Sequence, residues 1–76
     1  MKLKNKNIIC EILGLGQDSQ LNHNSLISDH GWDSLSAVML LTFFSDEHDK
    51  EIDPDLLEEI ETIDDLDKFI SKNVEN

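Results

Sequence analysis

The feature that most constrains this chain is the junction Gly31-Trp32-Asp33-Ser34-Leu35, followed by the apolar run Ser36-Ala37-Val38-Met39-Leu40-Leu41-Thr42-Phe43-Phe44. A polar connection becomes a helix there. Gly31 loosens the backbone, and Asp33 suits the position just before the first helical turn. Ser34 then falls in that turn, its hydroxyl outward, near unpaired backbone N–H groups and the positive end of the helix dipole. An anionic substituent on the Ser34 oxygen gains roughly 0.3–1 kcal/mol from the dipole alone. An ordinary Asp/Ser cap explains the same letters, so local physics leaves both readings open.

Three further segments follow the same logic. Ile8, Ile9, Ile12 and Leu13 recur at helical spacing, predicting a first helix from about Leu3 to Leu13 that stops at Gly14 or Gly16. A long polar connection, Gln17 to Asp33, needs pinning, and Leu21, Leu26 and Ile27 are the candidates. The second helix runs from Ser34 to about His48. Asp53-Pro54 starts a short third helix reaching about Ile60. The fourth opens at Thr62, with Asp65 three residues on as a variant capping box. It shows Ile63, Leu66, Phe69 and Ile70 on one face and ends near Lys72. The expected fold class is all-α, a four-helix bundle with a short third helix and a long first loop, spanning 1–76 as a single domain. Its predicted core is Ile9, Leu13, Leu40, Leu41, Phe44, Leu66, Phe69 and Ile70.

Charge narrows the function. The chain of 76 residues carries 17 acids, six lysines and no arginine, for a net −11. Lys2, Lys4 and Lys6 open the chain, whereas 13 of the acids lie from Asp46 onward. That balance argues against nucleic-acid binding, which needs cations to displace counterions from phosphates, and against anionic membrane surfaces. It fits a solvated acidic face and equally a face that steers basic partners. The longest mostly apolar stretch, Ala37 to Phe44, is too short to span a bilayer. Cys10 is a lone cysteine, and no secretory leader is visible, which predicts a cytoplasmic protein.

Catalytic and metal chemistries fit poorly. Ser34 lacks the flanking glycines of a hydrolase nucleophile elbow, since Trp32 and Ser36 stand in those places. His30 reads as a loop residue near Ser34, and His48 as a helix-end residue. A calcium loop beginning at Asp49 would need Gly and Glu where Pro54 and Ile60 stand. No enzymatic activity and no metal site are expected.

Asp33-Ser34-Leu35 resembles the Asp-Ser-Leu signature of acyl carrier proteins, whose serine receives 4′-phosphopantetheine. Glu11-Ile12-Leu13-Gly14-Leu15 resembles the end of that family's first helix, Ser25-Leu26-Ile27-Ser28-Asp29 the segment leading to the serine, and Thr62-Ile63-Asp64-Asp65-Leu66 its last helix. The resemblance implies a phosphopantetheine arm on Ser34, drawn from coenzyme A and holding an acyl or aminoacyl group as a thioester. Its implied partners are a phosphopantetheinyl transferase, an acyl- or aminoacyl-loading ligase and a downstream acyl-accepting enzyme, with the carrier itself a monomer. The family's docking face maps onto Asp33, Leu35, Val38, Met39 and Thr42. Leu40, Leu41 and Phe44 would then point inward. If the apolar members of that face were instead core, the docking reading would fail.

Two departures from the fatty-acid-type pattern stand out. Ser36 and Met39 occupy places where acids are usual, and Phe43 stands where a small residue borders the acyl cavity. The Trp32-Asp33-Ser34-Leu35 form resembles stand-alone carriers served by adenylating ligases, implying a specialised biosynthetic pathway. The alternative from another class is an unmodified acidic interaction module with the same fold. The crowding of acids into the second half yields one expectation for either reading. Monovalent salt screens their repulsion and raises the melting temperature; a flat or falling value between low and physiological salt contradicts it.

Overall fold

The computed structural model describes residues 3–16 and 18–74, and among these it places three α-helices and two 3-10 turns. Helix α1 is Lys6–Leu13, α2 is Ser34–His48 and α3 is Ile63–Val74; the 3-10 turns are Ile27–His30 and Pro54–Glu59. Lys2 of the basic opening and Gln17, the expected first residue of the long connection, lie outside the described residues.

Helix α1 forms because Ile9, Cys10, Ile12 and Leu13 share one buried face, and it starts at Lys6 rather than near Leu3. Of the two candidate stops, Gly14 acts. It takes the left-handed conformation at φ 73°, and the Leu15 N–H closes onto the Cys10 carbonyl at 2.8 Å. The beginning of α1 has no side-chain cap of its own. Asp67 on α3 supplies one from across the bundle. Its carboxylate accepts the Asn5 N–H at 2.9 Å, the Lys4 N–H at 3.3 Å and the Asn5 Nδ2 at 3.0 Å. Asn5 Nδ2 also donates to the Asp67 carbonyl and to Ser71 Oγ. Asp67 is buried, and these donors replace the water it gave up.

The core gathers Ile9, Ile12 and Leu13 from α1, Leu40 and Phe44 from α2, and Ile63, Leu66 and Ile70 from α3, closed by Ile27, Leu57 and Ile60. Six of the eight predicted core residues are buried. Leu41 and Phe69 are corrections: both are only half-buried and pack against the cluster from its margin. The Phe69 ring nevertheless meets Phe44 edge-on at 6.0 Å.

The third helix is a 3-10 turn ending at Glu59, with Ile60 as its cap. Asp53 caps it as expected, accepting from the Asp55 N–H at 3.0 Å. The expected capping box of the last helix is present: Asp65 N–H donates to Thr62 Oγ1 at 3.1 Å, and the Asp65 carboxylate accepts the Thr62 and Glu61 N–H groups at 3.2 Å. At the other end of α3, Lys50 Nζ donates to the Asn73 carbonyl at 2.6 Å, placing a cation on the negative end of the dipole.

The long connection is pinned chiefly by its backbone. Leu26 and Thr62 form an isolated bridge, with Ile27 N–H donating to the Glu61 carbonyl and Ile63 N–H to the Ser25 carbonyl, both at 2.9 Å. Of the expected side-chain pins, Ile27 is buried and Leu21 half-buried, but Leu26 is 45% exposed and holds nothing down. Its bridge consumes backbone groups while leaving the side chain in water.

Two stability effects follow. Phe44→Ala empties a fully buried site and costs about 3–5 kcal/mol in denaturant titration, with Phe69→Ala costing less; equal losses contradict the margin position of Phe69. Asp67→Ala strands the start of α1 and costs about 1–3 kcal/mol, a loss that Asp67→Asn only partly restores.

Candidate functional site

The site is built where α1 ends and α2 begins. The Ile27–His30 turn closes on Gly31, whose φ of 93° and ψ of 14° swing the chain toward α2. A side-chain carbon there would lie 3.6 Å from the Leu13 carbonyl oxygen, an ordinary contact, so the glycine is required by its backbone angle. Trp32 N–H returns to the Ile27 carbonyl at 3.2 Å, and its side chain packs against the core margin.

Asp33 is extended and caps α2, as the sequence predicts. Its Oδ1 accepts the Ser36 N–H at 3.0 Å. Ser36 completes a capping box, its Oγ accepting the Asp33 N–H at 3.4 Å and lying 3.2 Å from Asp33 Oδ1. A serine thus fills the place usually held by Glu or Gln. Sequence reasoning missed this role, because a lone serine before an apolar run carries no local signal for it. Ser36 is 4% exposed and engaged.

Ser34 is its opposite. It is the first residue of α2, exposed, with no hydrogen bond to its hydroxyl among the described residues. Its backbone lies in the turn whose N–H groups lack helical partners. An anionic group on that oxygen meets the positive helix end and finds open solvent around it. None of the three histidines hydrogen-bonds Ser34: His23 Nδ1 lies 3.0 Å from Asp64 Oδ1, His48 packs edge-on to Phe43, and His30 closes the 3-10 turn.

Of the other predicted site residues, Leu35, Val38, Met39 and Thr42 lie on the outer side of α2, and Asp33 caps its start. Asp33 and Thr42 are exposed, while Leu35 is 66%, Val38 56% and Met39 38% exposed. The alternative that the three apolar residues are core is therefore overturned. Leu40 and Phe44 point inward as expected; Leu41 sits between the two sides. Beyond the stripe, an open groove of about 560 Å³ runs between α1 and α2, where Val38, Met39 and Thr42 face Ile8 and Ile12. Phe43 lines this groove rather than the bundle interior.

Behind the site, Asp64 clasps the connection to α3. It lies 3.0 Å from His23 Nδ1 and 2.9 Å from Lys68 Nζ, and its N–H donates to the His23 carbonyl at 3.0 Å. The His23 hydrogen bond, then the Lys68 one, holds its carboxyl below the ordinary value of 3.8. No helix among the described residues is long and apolar enough to cross a membrane.

The family model described as phosphopantetheine attachment site matches residues 6–70. Proteins called acyl carrier protein from Bradyrhizobium sp. (strain ORS 278) and from Nitrobacter hamburgensis are each 38% identical over 71 residues, covering 93% of this chain and 90% of theirs. One from Karelsulcia muelleri is 36% identical over 73 residues, covering 96% and 88%. No solved structure gives a significant match. The chain belongs to the phosphopantetheine-binding acyl carrier family. It is accordingly a carrier whose cofactor is covalently attached 4′-phosphopantetheine.

Two measurements check the geometry. Asp33→Ala removes the cap of α2 and costs about 0.5–2 kcal/mol, and Ser36→Ala costs a similar or smaller amount; no loss in either would mean the capping box is not formed. Because the folded pKa of Asp64 is depressed, its contribution is present above pH 3.8 and lost as pH falls through the lower folded value. Wild type should therefore exceed Asp64→Asn in stability near neutrality, with the gap closing in acid. A gap that widens below pH 3.8 contradicts the clasp.

Proposed function

We propose that residues 1–76 act as a single carrier domain with the arm on Ser34. The observation that carries this reading is the contrast between two neighbouring serines: Ser34 is exposed with a free hydroxyl at the first helical position, whereas Ser36 is buried in the capping box. On modification the Ser34 oxygen loses its proton and bonds to the pantetheine-side phosphorus of coenzyme A. The pyrophosphate P–O bond breaks, adenosine 3′,5′-bisphosphate leaves, and the serine oxygen becomes a bridging oxygen of the phosphodiester. The backbone N–H groups of the first turn and the helix dipole then face the new charge. The arm, when attached, supplies a thiol that holds the cargo as a thioester. The chain itself supplies no catalytic group; it positions the arm and is recognised.

In this reading Asp33, Leu35, Val38, Met39 and Thr42 contact the partners. These are a phosphopantetheinyl transferase, an acyl- or aminoacyl-loading ligase and a downstream acyl-accepting enzyme. Exposed apolar residues grouped on one helix side serve as anchors for them. The protein works as a cytoplasmic monomer, and the missing acids early in α2 support a place in a specialised biosynthetic pathway.

The test is intact-mass analysis after incubation with coenzyme A and a broad-specificity transferase. One phosphopantetheine should be gained, and none by Ser34→Ala. A gain that persists in Ser34→Ala sinks the assignment, and no gain in the wild type returns the chain to an unmodified interaction module.

A further inference from the structure

We propose that the groove between α1 and α2 seats the cargo between transfers, and that its rim favours apolar or cationic groups over carboxylate-ended ones. The inference rests on the arm being attached at Ser34, and deepens that reading by naming a cargo class and a place for it.

The bundle interior offers little room. Leu40, Phe44, Ile63, Leu66 and Ile70 are fully buried, and the Phe44 ring meets Phe69 at 6.0 Å. A group entering there must displace packed side chains. The groove is already open. Its floor is apolar, formed by Ile8 and Ile12 of α1 and by Val38, Met39 and Phe43 of α2. Its polar members include Glu11, Asp46 and Glu47, and no lining residue is cationic.

Reach places the cargo there. Along α2 the rise from Ser34 is about 6 Å to Val38 and about 13 Å to Phe43. An extended pantetheine has roughly the span of five residues, about 16 Å. Leu35, 66% exposed, lies on the way. The tethered end therefore comes down between Met39 and Phe43, with a cargo of about four carbons extending toward Asp46 and Glu47. An apolar group gains contact with the floor, and an ammonium also gains the three carboxylates. A terminal carboxylate meets like charge at each ionisable group of the lining, an effect that salt reduces.

The test uses three cargoes of similar length on amide-linked coenzyme A analogues, which neither hydrolyse nor cyclise: butyryl, 4-aminobutyryl and succinyl. Each is transferred to the protein, loading is confirmed by intact mass, and backbone amide shifts are measured against the arm without cargo. At low salt, butyryl and 4-aminobutyryl should shift the amides of Ile8, Ile12, Met39 and Phe43, with succinyl shifts at least threefold smaller. The double substitution Asp46→Asn, Glu47→Gln should restore the succinyl shifts. Ile8→Glu should remove those of butyryl. Equal shifts for the three cargoes, or shifts confined to Ile52 and Pro54 or to Leu57 and Phe69, overturn the proposal. Complete loading without groove shifts overturns it while leaving the carrier reading intact; failure to load at Ser34 brings both down.

Discussion

The buried carboxylate of Asp67 joins the two ends of the described chain, and the architecture depends on that junction. Helix α1 is eight residues long, below the length at which an isolated helix persists in water, and its start lacks a local cap. Asp67 provides the missing acceptors from 62 residues away. Once α1 is fixed, Ile9, Ile12 and Leu13 complete the core, and Ile8 and Glu11 form one wall of the α2 groove. The carbonyl of Leu13 then backs Gly31, just before the α2 cap. A buried charge is seldom a large net source of stability. Its value here is directional, since several donors must converge on one carboxylate for the register of α1 against α3 to be met.

Helix α2 works on both of its sides. Leu40 and Phe44 enter the core, while Leu35, Val38 and Met39 stay exposed, so apolar residues surround the helix instead of forming one stripe. Helices α1 and α3 keep their apolar residues to one side, as core packing alone demands. The excess on α2 has no structural use within the bundle, which is why it reads as a surface for other molecules. The capping box makes the same separation on a smaller scale: Ser36 spends its hydrogen bonds on holding the helix start, and Ser34 keeps its hydroxyl free.

Much of this was legible in the sequence wherever the signal was local. Asp33 before an apolar run, Asp53 before Pro54, and Thr62 with Asp65 all mark helix starts because capping is decided within three or four residues. Leu40 and Phe44 follow from helical spacing. What escaped was set at long range. The start of α1 is determined by Asp67, and the connection is held by backbone bonds to Glu61 and Ile63 that no side chain announces. Leu26, apolar yet exposed, misleads for that reason. Leu41 and Phe69 show that helical periodicity ranks residues by angle, whereas burial depends on how closely the neighbouring element covers that angle. Phe43 adds to this: the resemblance set it beside an acyl cavity, and its angle carries it to the α1 side.

The junction at Asp67 also fixes where the chain leaves the bundle. Asn5 touches Ser71 as well as Asp67, so the first and last described stretches adjoin beside the start of α1. Gly31, and with it the run into Ser34, lies beside the opposite end of the same helix. A tether attached beside either stretch would thus hold the bundle by the end of α1 away from Ser34, the serine proposed to carry the arm.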